Sequence, residues 1–241
     1  MPELVGCDET LDVLCGERVR LIQKKKGYRF SMEPVLLGNF ITLKARETFL
    51  DIGAGCGIIP IYLSRNGVKN RLVGIEIQDE LHSLSLRNME LNGCANVEFV
   101  KGDVRTAWKE LGQFHVVASN PPYVKERTGR KSPGQSRMLA RCESALDLPS
   151  LLAAASSLLA SRGRFYMIYP ARRLTELLWA AKSMDLEPKR LRPVYSRRGE
   201  KAVLSLVECM KNGGASLKVE PPLYIFEEND YTEEVKTYYA R

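Results

Sequence analysis

The stretch Phe49-Leu50-Asp51-Ile52-Gly53-Ala54-Gly55-Cys56-Gly57 decides how this chain folds. It reads as a short buried strand running into a glycine-rich turn, with Ile58-Ile59-Pro60-Ile61-Tyr62-Leu63 starting a helix directly afterwards. Strand, tight turn and helix N-terminus together form the nucleotide cradle of an open α/β sheet. Glycines let the backbone take positive φ and let a ligand approach without meeting a Cβ. A dinucleotide fingerprint requires G-x-G-x-x-G. Here one glycine comes a position early, and Ile58 stands where the last should be. Asp51 also precedes the turn, and a carboxylate there suits a cation better than a pyrophosphate.

Outward from this turn, strands and helices alternate. Thr48–Ile52 is the first strand and Ile58–Asn66 the first helix, ended by Gly67. Arg71–Glu76, Val97–Val100 and Phe114–Ser119 read as strands two to four, with helices at 79–92 and 103–110 between them. A helix over 145–161, a strand at Arg164–Tyr169 and a helix over 171–184 follow. Leu186–Tyr195 and Lys201–Cys209 then read as a β-hairpin. This pattern predicts an α/β fold: a mostly parallel sheet with one antiparallel edge strand and helices on both faces. Residues 1–44 are expected to form a small extension of β-type runs, including Tyr28–Phe30, and one helix from Met32 to about Leu43. Residues 45–210 form the main domain, and 211–241 an extended strap.

Composition narrows the class. The chain has 241 residues, 44% hydrophobic and 27% charged, enough for one domain with a sizeable core. No apolar run approaches the roughly 20 residues of a membrane span. The N-terminus lacks a basic region followed by an apolar stretch, so no signal peptide is expected. Six scattered cysteines without a C-x-x-C pair point to free thiols in a reducing cytoplasm and to no metal site. The net charge of +7 is uneven, with an acidic tail after Leu217 and a strongly basic body. That body suits a polyanionic partner, and equally a surface tuned for solubility.

Candidate site residues gather at the carboxyl ends of the strands, where open α/β sheets bind ligands. Glu76, followed by Ile77, ends strand two at the distance where an acid accepts ribose hydroxyls. Asp103, in Lys101-Gly102-Asp103-Val104, is both a sheet-edge carboxylate and a helix N-cap. Asn120-Pro121-Pro122-Tyr123 comes straight off strand four. Two acceptors, the Asn120 side-chain oxygen and the Pro121 carbonyl, can each take one N–H of an amino group. They draw that nitrogen towards tetrahedral geometry and stabilise the positive charge it develops on attack. Fixed proline φ angles pre-organise the pair, and Tyr123 can stack on a planar substrate.

The D-x-G-x-G-x-G pattern resembles the first motif of the class I S-adenosylmethionine (SAM)-dependent methyltransferases. N-P-P-Y resembles the fourth motif of the amino-methyltransferases acting on adenine N6, guanine N2 or glutamine amide. Residues 21–37, with Tyr28-Arg29-Phe30-Ser31-Met32-Glu33-Pro34, and the ending Pro221-Pro222-Leu223-Tyr224-Ile225 … Tyr231-Thr232-Glu233-Glu234 look like the bacterial tRNA(Val) adenine-37 N6-methyltransferase family. The resemblance implies a Rossmann-like fold with a seven-stranded sheet, SAM as methyl donor and no metal. It implies cofactor contacts from Phe30, Met32, Asp51, Gly53, Ala54, Gly55, Gly57, Ile58, Glu76, Ile77, Gly102, Asp103, Val104 and Asn120. Catalysis would fall to Asn120, Pro121, Pro122 and Tyr123, in a cytoplasmic monomer that does not bind membranes. Lys24–Lys26, Arg172, Arg173, Arg190, Arg192, Arg197, Arg198 and the loop 124–142 would meet tRNA phosphates. Two alternatives stand beside this one. A release-factor glutamine N5-methyltransferase shares N-P-P-Y but normally carries a helical N-terminal domain, and a non-catalytic RNA-binding module would keep the fold alone.

Overall fold

The chain begins with an antiparallel hairpin of β1 (Glu9–Leu14) and β2 (Val19–Lys24), then α1 (Glu33–Phe40). β3 (Phe49–Ile52), β4 (Leu72–Glu76), β5 (Val97–Lys101) and β6 (Phe114–Ser119) alternate with α2 (Ile58–Arg65), α3 (Asp79–Leu91) and α4 (Val104–Leu111). α5 (Leu148–Leu158), β7 (Leu159–Pro170), a 3-10 turn at Ala171–Arg173 and α6 (Leu174–Lys182) lead to β8 (Leu186–Tyr195) and β9 (Ala202–Lys211). The tail holds β10 (Lys218–Val219), β11 (Leu223–Tyr224), β12 (Phe226–Glu227), β13 (Asp230–Tyr231) and α7 (Glu233–Ala240). These elements come from a computed structural model that describes residues 5–26, 31–122 and 146–240. The expected strand at 28–30 and the basic loop 124–142 lie outside the described residues.

The nine-stranded sheet runs β8-β9-β7-β6-β3-β4-β5, with the two-residue strands β10 and β11 added on the outer edge of β8. Seven principal strands remain when those two are set aside, and only β9 runs antiparallel to its neighbours. The antiparallel strand is therefore not the edge strand that the sequence suggests. After β7, α6 carries the chain past one strand position before β8 is laid down parallel, and β9 returns into the gap. Strand order reverses between β3 and β6, which makes the crevice above those two strands the topological switch point.

The central strands β3 and β4 are buried on both faces, which is why they are apolar throughout apart from Asp51, Glu76 and Gly74. One face packs Phe49, Phe99, Val116 and Tyr166 against α1, α2, α3, α7 and β2. The other packs Leu50, Val73 and Val117 against α4, α5 and α6. A Cβ on Gly74 would come within 2.6 Å of the Phe99 ring, so glycine there lets that ring lie across the sheet under the glycine turn.

Two further elements depart from the sequence reading. β7 begins at Leu159, where a helix running to Ser161 was expected, and residues 160–163 form an irregular insertion opposite β6. The residues Leu158-Leu159-Ala160 are good helix formers, but tertiary pairing of Leu159 with Phe114 overrides that propensity. The tail also ends in a helix. The Val235 N–H donates to the Thr232 hydroxyl oxygen, and Glu233 and Glu234 lie in the first turn, where the helix dipole favours them. α7 buries Val235 and Tyr238, and Phe226, Tyr231 and Tyr239 stack in sequence along it. Among the described residues no helix is long and apolar enough to cross a membrane.

Candidate active site

The glycine turn is held by a network that passes through Glu76. Gly53, Gly55 and Gly57 have φ of 73°, 58° and 89°, so each takes the left-handed conformation that favours glycine. The N–H groups of Gly53 and Ala54 both donate to the Ile75 carbonyl at 3.0 Å. Glu76, buried at the end of β4, accepts the Gly55 N–H on one carboxylate oxygen and the Gln78 N–H on the other, each at 2.9 Å. Because Glu76 already takes the Gly55 N–H, that donor is not free for a phosphate. Gly53 is exposed, and a Cβ there would meet nothing within 4 Å.

Asp51 is buried to 1% exposure, and its Oδ1 has no hydrogen-bond partner. Burial, with Glu76 nearby, pushes its carboxyl well above the usual range. A buried carboxylate without a partner destabilises a fold, and such groups persist where a site needs them. The sign of the pH effect follows from the raised value. The stability Asp51 contributes is fully present below the ordinary Asp range and is lost as pH rises through its folded value. Asp51→Asn is expected to raise stability by on the order of 1 kcal/mol at neutral pH and to flatten that slope. Urea denaturation of both proteins across that pH range measures this, and an unchanged slope would show that Asp51 is not strained.

Beside the turn lies a cavity with about 350 Å³ of empty space, solvent mouth included. Gly53, Glu76, Ile77, Gly102, Asp103 and Val104 line it together with Ile52, Ile75 and Leu146. Ile77 is 48% exposed, an unusual setting for isoleucine that leaves a flat apolar surface at the mouth. No lysine or arginine is among these lining residues. Asp103 caps α4 through the Arg105 N–H at 2.9 Å, and both of its oxygens also meet the Arg105 guanidinium. That guanidinium holds the Asp103 carboxyl below its usual range. The carboxylate is thus already engaged, while the backbone beside it faces the cavity.

The second half of the site comes from β6. Asp51 pairs in register with Ala118, and the buried Ser119 donates its hydroxyl to the Ile52 carbonyl at 2.9 Å. Asn120, Pro121 and Pro122 leave the sheet immediately beyond, half-buried, next to the glycine turn. Met32 is half-buried against the core beside α1. Ala54, Gly55, Gly57, Ile58 and Val104 are buried, and the Ile58 side chain faces the core, leaving backbone as its only means of meeting a ligand. Phe30 and Tyr123 lie outside the described residues. Leu146 is a wall residue that sequence reasoning missed, since it sits in a loop with no motif.

The arginines divide into two groups. Arg190 pairs with Glu208 and Glu220 and lies 4.1 Å from the Phe40 ring centre, while Arg192 pairs with Glu234. Lys24 pairs with Asp8, Glu9 and Glu80. These three tie the tail or hairpin to the body. Arg197 and Arg198 are exposed in the β8–β9 turn, over the rings of Phe226 and Tyr224.

A family model, the methyltransferase small domain, matches residues 33–175. Curated relatives named tRNA1(Val) (adenine(37)-N6)-methyltransferase include two from Porphyromonas gingivalis strains. They are 29% and 32% identical, and each alignment covers 76% of this chain and 74% of the relative. The chain belongs to this methyltransferase family. A Flavobacterium johnsoniae relative of the same name is 24% identical over 88% of this chain and 91% of its own. Among solved structures, an Agrobacterium tumefaciens protein described as a predicted O-methyltransferase superposes with a TM-score of 0.71. It is 24% identical over 86% of this chain and 95% of its own, a likeness that shows the fold. The methyltransferase uses SAM, and the residues present fit it. The turn has an open glycine face and an unpartnered buried carboxylate, and the cavity presents acids and apolar surface in place of cations.

Proposed function

We propose that this methyltransferase transfers the methyl group of SAM to the N6 amino nitrogen of an adenine in tRNA, the anticodon-loop adenine 37 of tRNA(Val). The observation that carries this reading is Asn120-Pro121-Pro122 leaving β6 beside the glycine turn, anchored by the Ser119–Ile52 bond of 2.9 Å. Relatives bearing that substrate in their name support the choice of acceptor.

SAM, when bound, supplies an electrophilic methyl group on a sulfonium centre. Glu76 would accept the ribose hydroxyls with the lone pairs left over from Gly55 and Gln78, Ile77 would offer an apolar face to the adenine ring, and the backbone around Asp103 would meet the adenine edge. Asp51 would supply negative charge beneath the turn to the cationic end of the ligand. On the acceptor side, the Asn120 oxygen and the Pro121 carbonyl each accept one N–H of the target amine. They localise its lone pair and stabilise the charge that builds up on nitrogen. The methylated ammonium is acidic enough to lose its proton to water, so no strong general base is needed. An anticodon-loop base is partly unstacked, which lowers the energy needed to flip it into the crevice.

A glutamine acceptor in a release factor is the competing chemistry, since the same two acceptors fit a primary amide. The relatives named for a tRNA adenine favour RNA over that partner. Offering labelled SAM with either tRNA or a Gly-Gly-Gln peptide separates the two readings. Label in tRNA alone is expected, whereas label in the peptide alone would transfer the assignment to glutamine.

Arg197 and Arg198 are expected to contact phosphates of the bound RNA. β8 is parallel to β7, so the turn after Tyr195 rises at the same sheet edge as Asn120. Replacing both by Ala is expected to raise the KM for RNA several-fold at unchanged kcat. It should also reduce the slope of log affinity against log salt by about one per arginine. An unchanged slope would remove this turn from the RNA interface.

A further inference from the structure

Asn88 on α3 and Asn92 at its C-cap, one turn apart, together replace a missing strand along the free edge of β2. Asn92 accepts the Arg20 N–H at 2.9 Å and donates to the Arg20 carbonyl at 2.6 Å. Asn88 does the same for Ile22, at 2.6 and 3.1 Å. The two side chains are equivalent towards the hairpin but differ in their remaining donor. Asn92 gives it to the Asn88 carbonyl, inside its own helix, at 2.7 Å. Asn88 gives it to the Cys56 carbonyl, at 2.9 Å, inside the glycine turn.

We propose that Asn88 is a positioning residue for the methyl-donor site: it locks the Cys56–Gly57 peptide and couples the N-terminal hairpin to SAM affinity. The proposal rests on the reading of the glycine turn as the SAM site. The Cys56–Gly57 peptide lies between two glycine positions, Gly55 and Gly57, whose freedom allows the plane to rotate. Its N–H donates to the Ala54 carbonyl at 2.9 Å, and Asn88 fixes its C=O, so both ends are held. The Asn88 side chain is fully buried, and its oxygen and both amide hydrogens are engaged. Removing it leaves the Cys56 carbonyl buried without a donor, a strain the turn can relieve only by reorienting. Gly55 precedes Cys56 and its N–H is tied to Glu76, so reorientation disturbs the Glu76 carboxylate as well. No sequence motif marks Asn88, and in a helical segment it reads as an ordinary polar position.

Asn92→Ala is the matched control, because it removes the equivalent pair of hairpin bonds, to Arg20, and no bond to the turn. Calorimetric titration of SAM is expected to show a Kd raised about tenfold for Asn88→Ala and by less than about twofold for Asn92→Ala, at similar losses of thermal stability. Equal affinities in the two variants would overturn the coupling. Absence of SAM binding by the unaltered protein would overturn the methyl-donor reading itself, and this proposal with it. Amide exchange in the unaltered protein gives a test that does not depend on a variant folding. S-adenosylhomocysteine is expected to slow exchange at Ile22, held by Asn88, by about tenfold more than at Arg20, held by Asn92. Equal protection at both amides would also refute the coupling.

Discussion

Asn120→Ala is expected to lower kcat by about 10²–10³-fold while leaving the Kd for SAM within about twofold of its original value. The asymmetry follows from position. Asn120 is half-buried beyond β6, whereas the turn and cavity assigned to the donor are built from β3, β4 and the N-terminus of α4. Its side-chain oxygen matters only when charge develops on the attacking nitrogen, so truncation removes stabilisation of the transition state and little ground-state binding. Asn120→Asp keeps an acceptor in place and is expected to retain more turnover than Asn120→Ala. Single-turnover kinetics with saturating RNA, alongside SAM titration, separates the two parameters. A loss of SAM affinity equal to the loss of rate would reassign Asn120 to the cofactor.

Glu76→Ala is expected to weaken SAM binding by about 100-fold and to lower stability by about 2–3 kcal/mol. This residue has two duties that share one carboxylate. Its oxygens hold the Gly55 and Gln78 N–H groups, and the Gly55 bond is buried, so truncation leaves that donor unsatisfied inside the turn. In the proposed reading the remaining lone pairs serve the ribose. Glu76→Gln does not restore the site, because an amide has one acceptor atom and must turn its NH₂ towards either Gly55 or Gln78, setting donor against donor. Gln is therefore expected to behave closer to Ala than its shape suggests. Calorimetry with SAM, together with urea denaturation of both variants, checks this. A Gln variant that binds as well as Glu would mean the ribose does not depend on the carboxylate.

The legible and illegible parts of this chain differ for physical reasons. Strand–turn–helix order, the switch-point crevice and the placement of Asp51, Gly53, Glu76 and Asn120 follow from local patterns, since glycine spacing and apolar runs act over a few residues. The position of β9 between β7 and β8 does not, because a hairpin signal specifies pairing and leaves open the side on which the pair joins the sheet. Arg190 and Arg192 show the same limit for charge. Their neighbours in sequence suggest a basic surface, but each is bound by acids 18 to 42 residues away, in β9 and the tail. Leu146 and Asn88 are set by contacts across the fold, Asn88 to a strand 66 residues earlier and a turn 32 residues earlier. Asp103 was correctly read as a cap at the sheet edge; the Arg105 grip on its carboxylate became visible only in three dimensions.

The central claim is that two loops, one after β3 and one after β6, bring a SAM methyl group to an adenine amino nitrogen in tRNA. Nucleoside mass spectrometry of tRNA lacking the modification, incubated with the protein and SAM, tests it most directly. N6-methyladenosine confined to digestion fragments of the tRNA(Val) anticodon loop is the predicted result, formed about 10²–10³-fold more slowly when Asn120→Ala replaces the native protein. A digest with no N6-methyladenosine, from protein shown to bind SAM, would contradict it.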